Sequence, residues 1–116
     1  MRAIETYLEA WNAGSSQDRH NLLERCLTTD VVYIDPHAPE VIQGIEAMEA
    51  MIETFRARFD HKLIAEGAID AHHDVFRLQW RLQQDGGGIL SHGLMVGEVD
   101  DSGIITRIVQ FVDANN

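Results

Sequence analysis

Hydrophobic positions recur at helical spacing in the first half of the chain and alternate in the second. Ile4, Tyr7, Leu8 and Trp11 fall at i, i+3, i+4 and i+7, which predicts an amphipathic helix over residues 3–13, ended by Gly14 in the left-handed conformation. Ser15 to Asp18 reads as a capping box that opens a second helix over 16–27, with Leu22, Leu23, Cys26 and Leu27 as its apolar stripe. The β-branched and aromatic residues between Asp30 and Asp35 predict a short strand, stopped by Pro36, which has no N–H for a ladder. Past a loop ending at Gly44, the spacing of Ile45, Met48, Ile52, Phe55 and Phe59 predicts a third helix. Glu46 and Glu49 near its start and Arg56 and Arg58 near its end complement its dipole.

From residue 60 onward the period is two. Phe76, Leu78, Trp80 and Leu82 alternate with Arg77, Gln79 and Arg81, and turn signals at His72-His73-Asp74, Asp85-Gly86-Gly87 and Asp101-Ser102-Gly103 leave four strands near 61–71, 75–84, 88–99 and 104–113. The order is α-α-β-α-β-β-β-β, an α+β class in which three helices pack on one face of a strongly curved mixed or antiparallel sheet. Gly67, Gly93 and Gly97 lie inside strands, where glycine marks a bulge or bend. A curved sheet closed by helices makes a cone-shaped barrel, and its concave side is the place to look for a small-molecule pocket.

Composition narrows the function more than the fold. At 116 residues, one domain over 1–116 is expected, burying about 65% of its unfolded surface. The net charge of −10 opposes binding to phosphate backbones, and no basic patch offsets it, so nucleic acid is not an expected partner. No apolar run is long enough to span a bilayer, and the first residues do not read as a signal peptide. The single cysteine, Cys26, fits a reducing compartment, so a cytoplasmic location is expected.

The element order resembles the nuclear transport factor 2-like superfamily, in its SnoaL-like and ketosteroid isomerase-like branch. The most specific pieces are Tyr7-Leu8-Glu9, the segment from Thr29 to Pro36 with Gly44 beyond it, and the last hairpin from Val99 to Ile104. The resemblance implies a cone fold, cofactor-free chemistry and pairing as a homodimer through the exposed sheet face. It implies Asp35, in its Asp-Pro step, as a catalytic base and Tyr7 as a donor to the oxyanion. The position of the family's second, acidic donor falls on Met95, which donates no hydrogen bond.

The residues support two readings of Asp35. On one strand face with Val31 and Tyr33 it would stand in apolar surroundings, where loss of water makes a carboxylate a stronger base; alternatively it caps the turn begun by Pro36. His37, two residues on, is a catalytic partner or a surface-loop histidine. Trp80, Met95, Phe55, Tyr33, Gln110 and Trp11 are the expected substrate-binding residues, although most such side chains simply fill a core. His61, His72, His73 and His92 lack the spacing of a metal site, and no nucleotide or nucleophile-elbow motif is present, so neither metal nor cofactor is expected. The leading expectation is proton abstraction beside the carbonyl of an apolar compound, as in an isomerase, cyclase or dehydratase. The alternative is a non-catalytic ligand-binding or dimerisation module, motivated by Met95. Water addition of the limonene epoxide hydrolase type ranks last, because Arg77 and Arg81 point away from the pocket in the alternating pattern.

Overall fold

The computed structural model describes residues 1–113 and contains three helices and six strands. These are α1 (Arg2–Asn12), α2 (Ser16–Cys26), β1 (Leu27–Ile34), β2 (Ile42–Gln43), α3 (Ile45–Arg58), β3 (Lys62–His72), β4 (Val75–Gln83), β5 (Ile89–Val99) and β6 (Ile105–Val112). The strands form one sheet in the order β2-β1-β6-β5-β4-β3, with β1 and β6 parallel and every other pair antiparallel. The sheet curves around the helices without closing.

Alternation fixes which side chains enter the core. In β4, Phe76, Leu78, Trp80 and Leu82 are buried while Arg77 and Gln79 are exposed. Across the sheet, Leu78 pairs with Met95 and Met95 with Gln110, so all three share the concave face. Ile4, Tyr7 and Trp11 of α1, Leu23 of α2 and Met48 and Ile52 of α3 pack into that face. Each large side chain so buried contributes about 1.5–3 kcal/mol.

Two glycines make the curvature compatible with large aromatic rings. A Cβ on Gly93 would lie 2.2 Å from Trp80 Cζ2 and 2.3 Å from the Phe111 carbonyl oxygen, and one on Gly97 would lie 2.3 Å from the Arg107 carbonyl and 2.5 Å from Phe76 Cζ. Trp80 and Phe76 therefore lie directly across β5, using space that only glycine leaves. Gly67 plays another part: with φ +87° it sits where the β3–β4 register shifts between Glu66 and Asp70, at a bulge.

The ends of the elements differ from expectation in three places. Gly14 is not in the left-handed region; α1 ends at Asn12 with Ala13 extended, and Arg19 takes over the capping by donating from Nε to Ala10 O (3.0 Å) and from Nη2 to Ala13 O (2.7 Å). Leu27 belongs to β1 rather than to α2, because β1 starts three residues before Asp30 and Leu27 pairs with Ile105 of β6. Ile42 and Gln43 form a two-residue edge strand against Val32 and Tyr33, where a plain loop was expected. The Ser15 cap is as expected, its Oγ accepting from Asp18 N at 3.2 Å. Asn12 then ties α1 to β3, its amide donating to Leu63 O and accepting from Leu63 N, each at 2.9 Å.

Candidate active site

Between α3 and the concave sheet lies a cavity of about 990 Å³. Trp80 and Leu82 of β4 and Gln110 and Val112 of β6 form its sheet wall, Met51, Phe55 and Arg58 of α3 face them, and Trp11 reaches it from α1. Pro36 to Pro39, the loop after β1, closes one side. Its size is at the upper end of ordinary small-molecule pockets, about 300–1,000 Å³, and its lining is mostly apolar with few polar groups.

Four of the lining residues pair through two short side-chain hydrogen bonds. The Tyr33 hydroxyl donates to Asp35 Oδ2 at 2.6 Å, and the His37 backbone N–H donates to Oδ1 at 2.8 Å. The first bond follows from β1 geometry, because residues two apart share a strand face. The second is the turn-capping contact expected of Asp before Pro. Trp80 Nε1 donates to Gln110 Oε1 at 2.8 Å. An indole nitrogen can only donate, so the atom it meets is the amide oxygen, and Gln110 turns its NH2 group toward the Tyr33 phenol. Burial first, and then the Asp35 carboxylate nearby, raises the Tyr33 phenol well above its ordinary range, with Gln110 opposing that rise. Tyr33 is therefore a protonated donor at neutral pH.

Of the expected site residues, Asp35, His37, Trp80, Phe55, Tyr33, Gln110 and Trp11 line the cavity. Tyr7 and Met95 do not: both are fully buried, behind the wall that the lining residues make. Tyr7 accepts a hydrogen bond from Trp11 Nε1 at 2.8 Å, and burial carries its phenol far above the ordinary range. Trp11, one helical turn later on the same face of α1, lines the cavity and holds the Tyr7 hydroxyl behind it. Met95 lies between Leu78 and Gln110 on the adjoining strands and is fully buried. The phenol that meets Asp35 is Tyr33, and only the two-residue strand period signalled it. His37 is exposed and contributes its backbone, rather than its ring, to Asp35.

Outside the cavity, Arg81 and His92 face the convex side with Glu66, His92 Nδ1 lying 2.6 Å from Glu66 Oε1. A shallower depression of about 500 Å³ on that side is lined by Asp70, Arg77, Glu98 and Arg107, with Arg77 and Asp70 paired at 3.1 Å. It lacks the enclosing helix wall of the concave cavity. Cys26 is fully buried, and burial pushes its thiol up to about 12, as for a structural rather than a reactive cysteine. Among the described residues no group of three or more His, Cys, Asp or Glu could hold a metal ion, and no helix is long and apolar enough to cross a membrane.

Three helices on a curved, open six-stranded sheet, with a cavity under α3, define the nuclear transport factor 2-like cone fold. A family model for the SnoaL-like domain matches residues 4–108, and the chain belongs to that family. A candidate isomerase of the SnoaL-like family from Agrobacterium tumefaciens superposes with a TM-score of 0.88 at 29% identity, covering 97% of this chain and 96% of that one. A candidate SnoaL-like polyketide cyclase from a Jannaschia species gives 0.73 at 20% identity over 97% and 85%. A Mycobacterium tuberculosis protein in complex with estradiol-17β-hemisuccinate gives 0.69 at 21% identity over 97% and 92%. No curated protein sequence matches the chain.

Proposed function

We propose that the protein binds a small apolar carbonyl compound in the concave cavity and moves a proton on the carbon beside that carbonyl, without a cofactor. The observation that carries this reading is the two hydrogen-bonded pairs Trp80–Gln110 and Tyr33–Asp35 on a mostly apolar cavity lining. Asp35 is the base; Tyr33 fixes its carboxylate, and the Gln110 NH2, whose oxygen is already held by Trp80, is the donor for the oxygen on which charge develops. Proton removal gives an enolate, and return of the proton to another carbon, attack on a second carbonyl, or loss of a β-hydroxyl would give isomerase, cyclase or dehydratase outcomes. In this arrangement Tyr7 supports Trp11 instead of touching substrate. A protein solved with a steroid ester and others assigned as isomerase or cyclase candidates share the fold, which is consistent with an apolar ligand.

A second reading rests on a specific observation: Asp35 is also a turn cap, and Met95 supplies no donor. On that reading the cavity binds a ligand without turning it over. Titration of aryl ketones such as acetylnaphthalene, followed by quenching of Trp11 and Trp80, tests occupancy of the cavity. Proton exchange of the bound ketone then separates the two readings. The reading extends to a homodimer through the convex sheet face, where Leu94, Val96 and Val109 are half-buried and Phe111 is 54% exposed, and to a cytoplasmic location, supported by the lone reduced cysteine. Sedimentation of the wild type against Phe111→Glu tests the dimer; a wild-type monomer would refute it.

A further inference from the structure

The chain carries a net charge of −10, yet its main cavity has one Arg or Lys in the lining, Arg58, in the last turn of α3. Sequence alone explains Arg58 as a complement to the helix dipole, but its placement does not follow from that role. Among the described residues it forms no ion pair and donates no hydrogen bond to the carbonyls at the end of α3. Arg56, two residues earlier, is by contrast spent on the His61 carbonyl. The Arg58 guanidinium instead stands over the Phe59 ring, 5.7 Å from its centroid, and both residues line the cavity. Its five N–H donors are thus without a protein partner among the described residues, at the rim, with the guanidinium over an aromatic ring.

Phe59 is the outer end of an aromatic wall. Its ring centroid lies 5.0 Å from that of Phe55, which in turn lies 5.4 Å from Trp11, edge to face. This wall runs from the buried Trp11 outward to Arg58, apolar along its length and cationic at its tip. The other formal charges on the lining are the carboxylates of Asp35 and Asp113, with His37 on the loop rim. An anionic group is repelled by the two carboxylates and attracted by Arg58, so the charges specify an orientation as well as an affinity.

We infer that the cavity selects an amphipathic carboxylate: a flat apolar body lying along Trp11, Phe55 and Phe59, with its carboxylate on the Arg58 fork. A planar guanidinium meets a carboxylate through two parallel hydrogen bonds, which a neutral alcohol or ester cannot reproduce. Arg58 is a specificity residue and takes no part in the proton transfer. The inference rests on the ligand-binding reading above, and its test separates the two.

Pyrenebutyrate and pyrenebutanol share ring and chain and differ in the terminal carboxylate. Titrated into the 116-residue protein, the acid binds at least about tenfold more tightly than the alcohol, and that ratio shrinks as salt is raised. Arg58→Gln brings the ratio to about one while changing the alcohol's affinity by less than about twofold; Arg58→Lys keeps part of the preference. Arg58 is exposed, so an unchanged melting temperature verifies that the variants fold. A wild-type ratio near one, or a preference that survives in Arg58→Gln, overturns the assignment of Arg58 and leaves the cavity reading standing. Failure of both probes to bind overturns the two together.

Discussion

Replacing Gly93 with alanine probes how the sheet wall of the cavity is built. The added Cβ meets two obstacles, Trp80 Cζ2 at 2.2 Å and the Phe111 carbonyl oxygen at 2.3 Å, where real contacts stay beyond 3.0 Å. The carbonyl belongs to the neighbouring strand and moves only if β5 and β6 separate. The indole can retreat only by giving up its 2.8 Å bond to Gln110, leaving a buried donor and acceptor unpaired. Overpacking costs about 1–3 kcal/mol and an unpaired buried polar group a similar amount, so Gly93→Ala should lose about 3–5 kcal/mol. A domain of this size has about 5–15 kcal/mol in total and loses about 3–6 °C per kcal/mol, so the melting temperature should fall by about 10–25 °C. Urea unfolding followed by tryptophan fluorescence measures it. Gly14→Ala is the control, since nothing lies within 4 Å of its Cβ and its φ is ordinary; it should be neutral or up to about 1 kcal/mol stabilising. A Gly93→Ala loss under about 1 kcal/mol would refute the placement of Trp80 across β5, and with it the orientation of Gln110.

Tyr33→Phe and Tyr7→Phe should separate in a way that swaps the roles a sequence reading assigns them. Tyr33→Phe frees Asp35 Oδ2 and weakens turnover of any ketone the protein processes, at about 1–2 kcal/mol of stability because half-exposed Asp35 can rehydrate. Tyr7→Phe strands the Trp11 N–H in the core, costing about 1–3 kcal/mol, but leaves the rate per folded molecule within about twofold; a larger rate loss in Tyr7→Phe would reverse the assignment. His20 joins α2 to α3 through Glu49 at 2.8 Å and also contacts Glu24 within α2. The hydrogen bond to Glu49, only partly opposed by desolvation, raises its pKa. The charged form is therefore favoured in the folded state, so its stabilisation is complete below the ordinary His value of about 6.5 and is lost as pH rises through the higher folded value. The difference in melting temperature between wild type and His20→Gln should accordingly shrink from pH 6 toward pH 8; a constant difference would contradict the pairing.

Much of the fold was legible because alternation and helical spacing record burial directly. Phe76, Leu78, Trp80 and Leu82 announce the concave face of β4, and Met48, Ile52 and Phe55 the inner face of α3. Element ends were less legible, since Arg19 caps α1 from nine residues away, a tertiary contact that no local pattern encodes. The site follows the same division. Asp35 could be singled out from its strand-end position and family resemblance, and Tyr33 shares its face by simple parity. Whether Tyr7 or Tyr33 meets the carboxylate depends on Trp11 holding the hydroxyl of one and not the other, which is decided only when α1 docks on the sheet. Arg58 was legible as a helix-terminal charge; its stacking over Phe59 required the chain to leave α3 at that residue.

The central claim is that Asp35 is a base facing an apolar cavity. In D2O, the methyl protons of a bound aryl ketone such as acetylnaphthalene, followed by NMR, should exchange faster with the wild-type protein than in buffer. Asp35→Asn should slow that exchange by about 100-fold or more while ketone affinity changes little, as removal of a positioned general base requires. A ketone that occupies the cavity yet exchanges equally fast with wild type and Asp35→Asn would contradict the account.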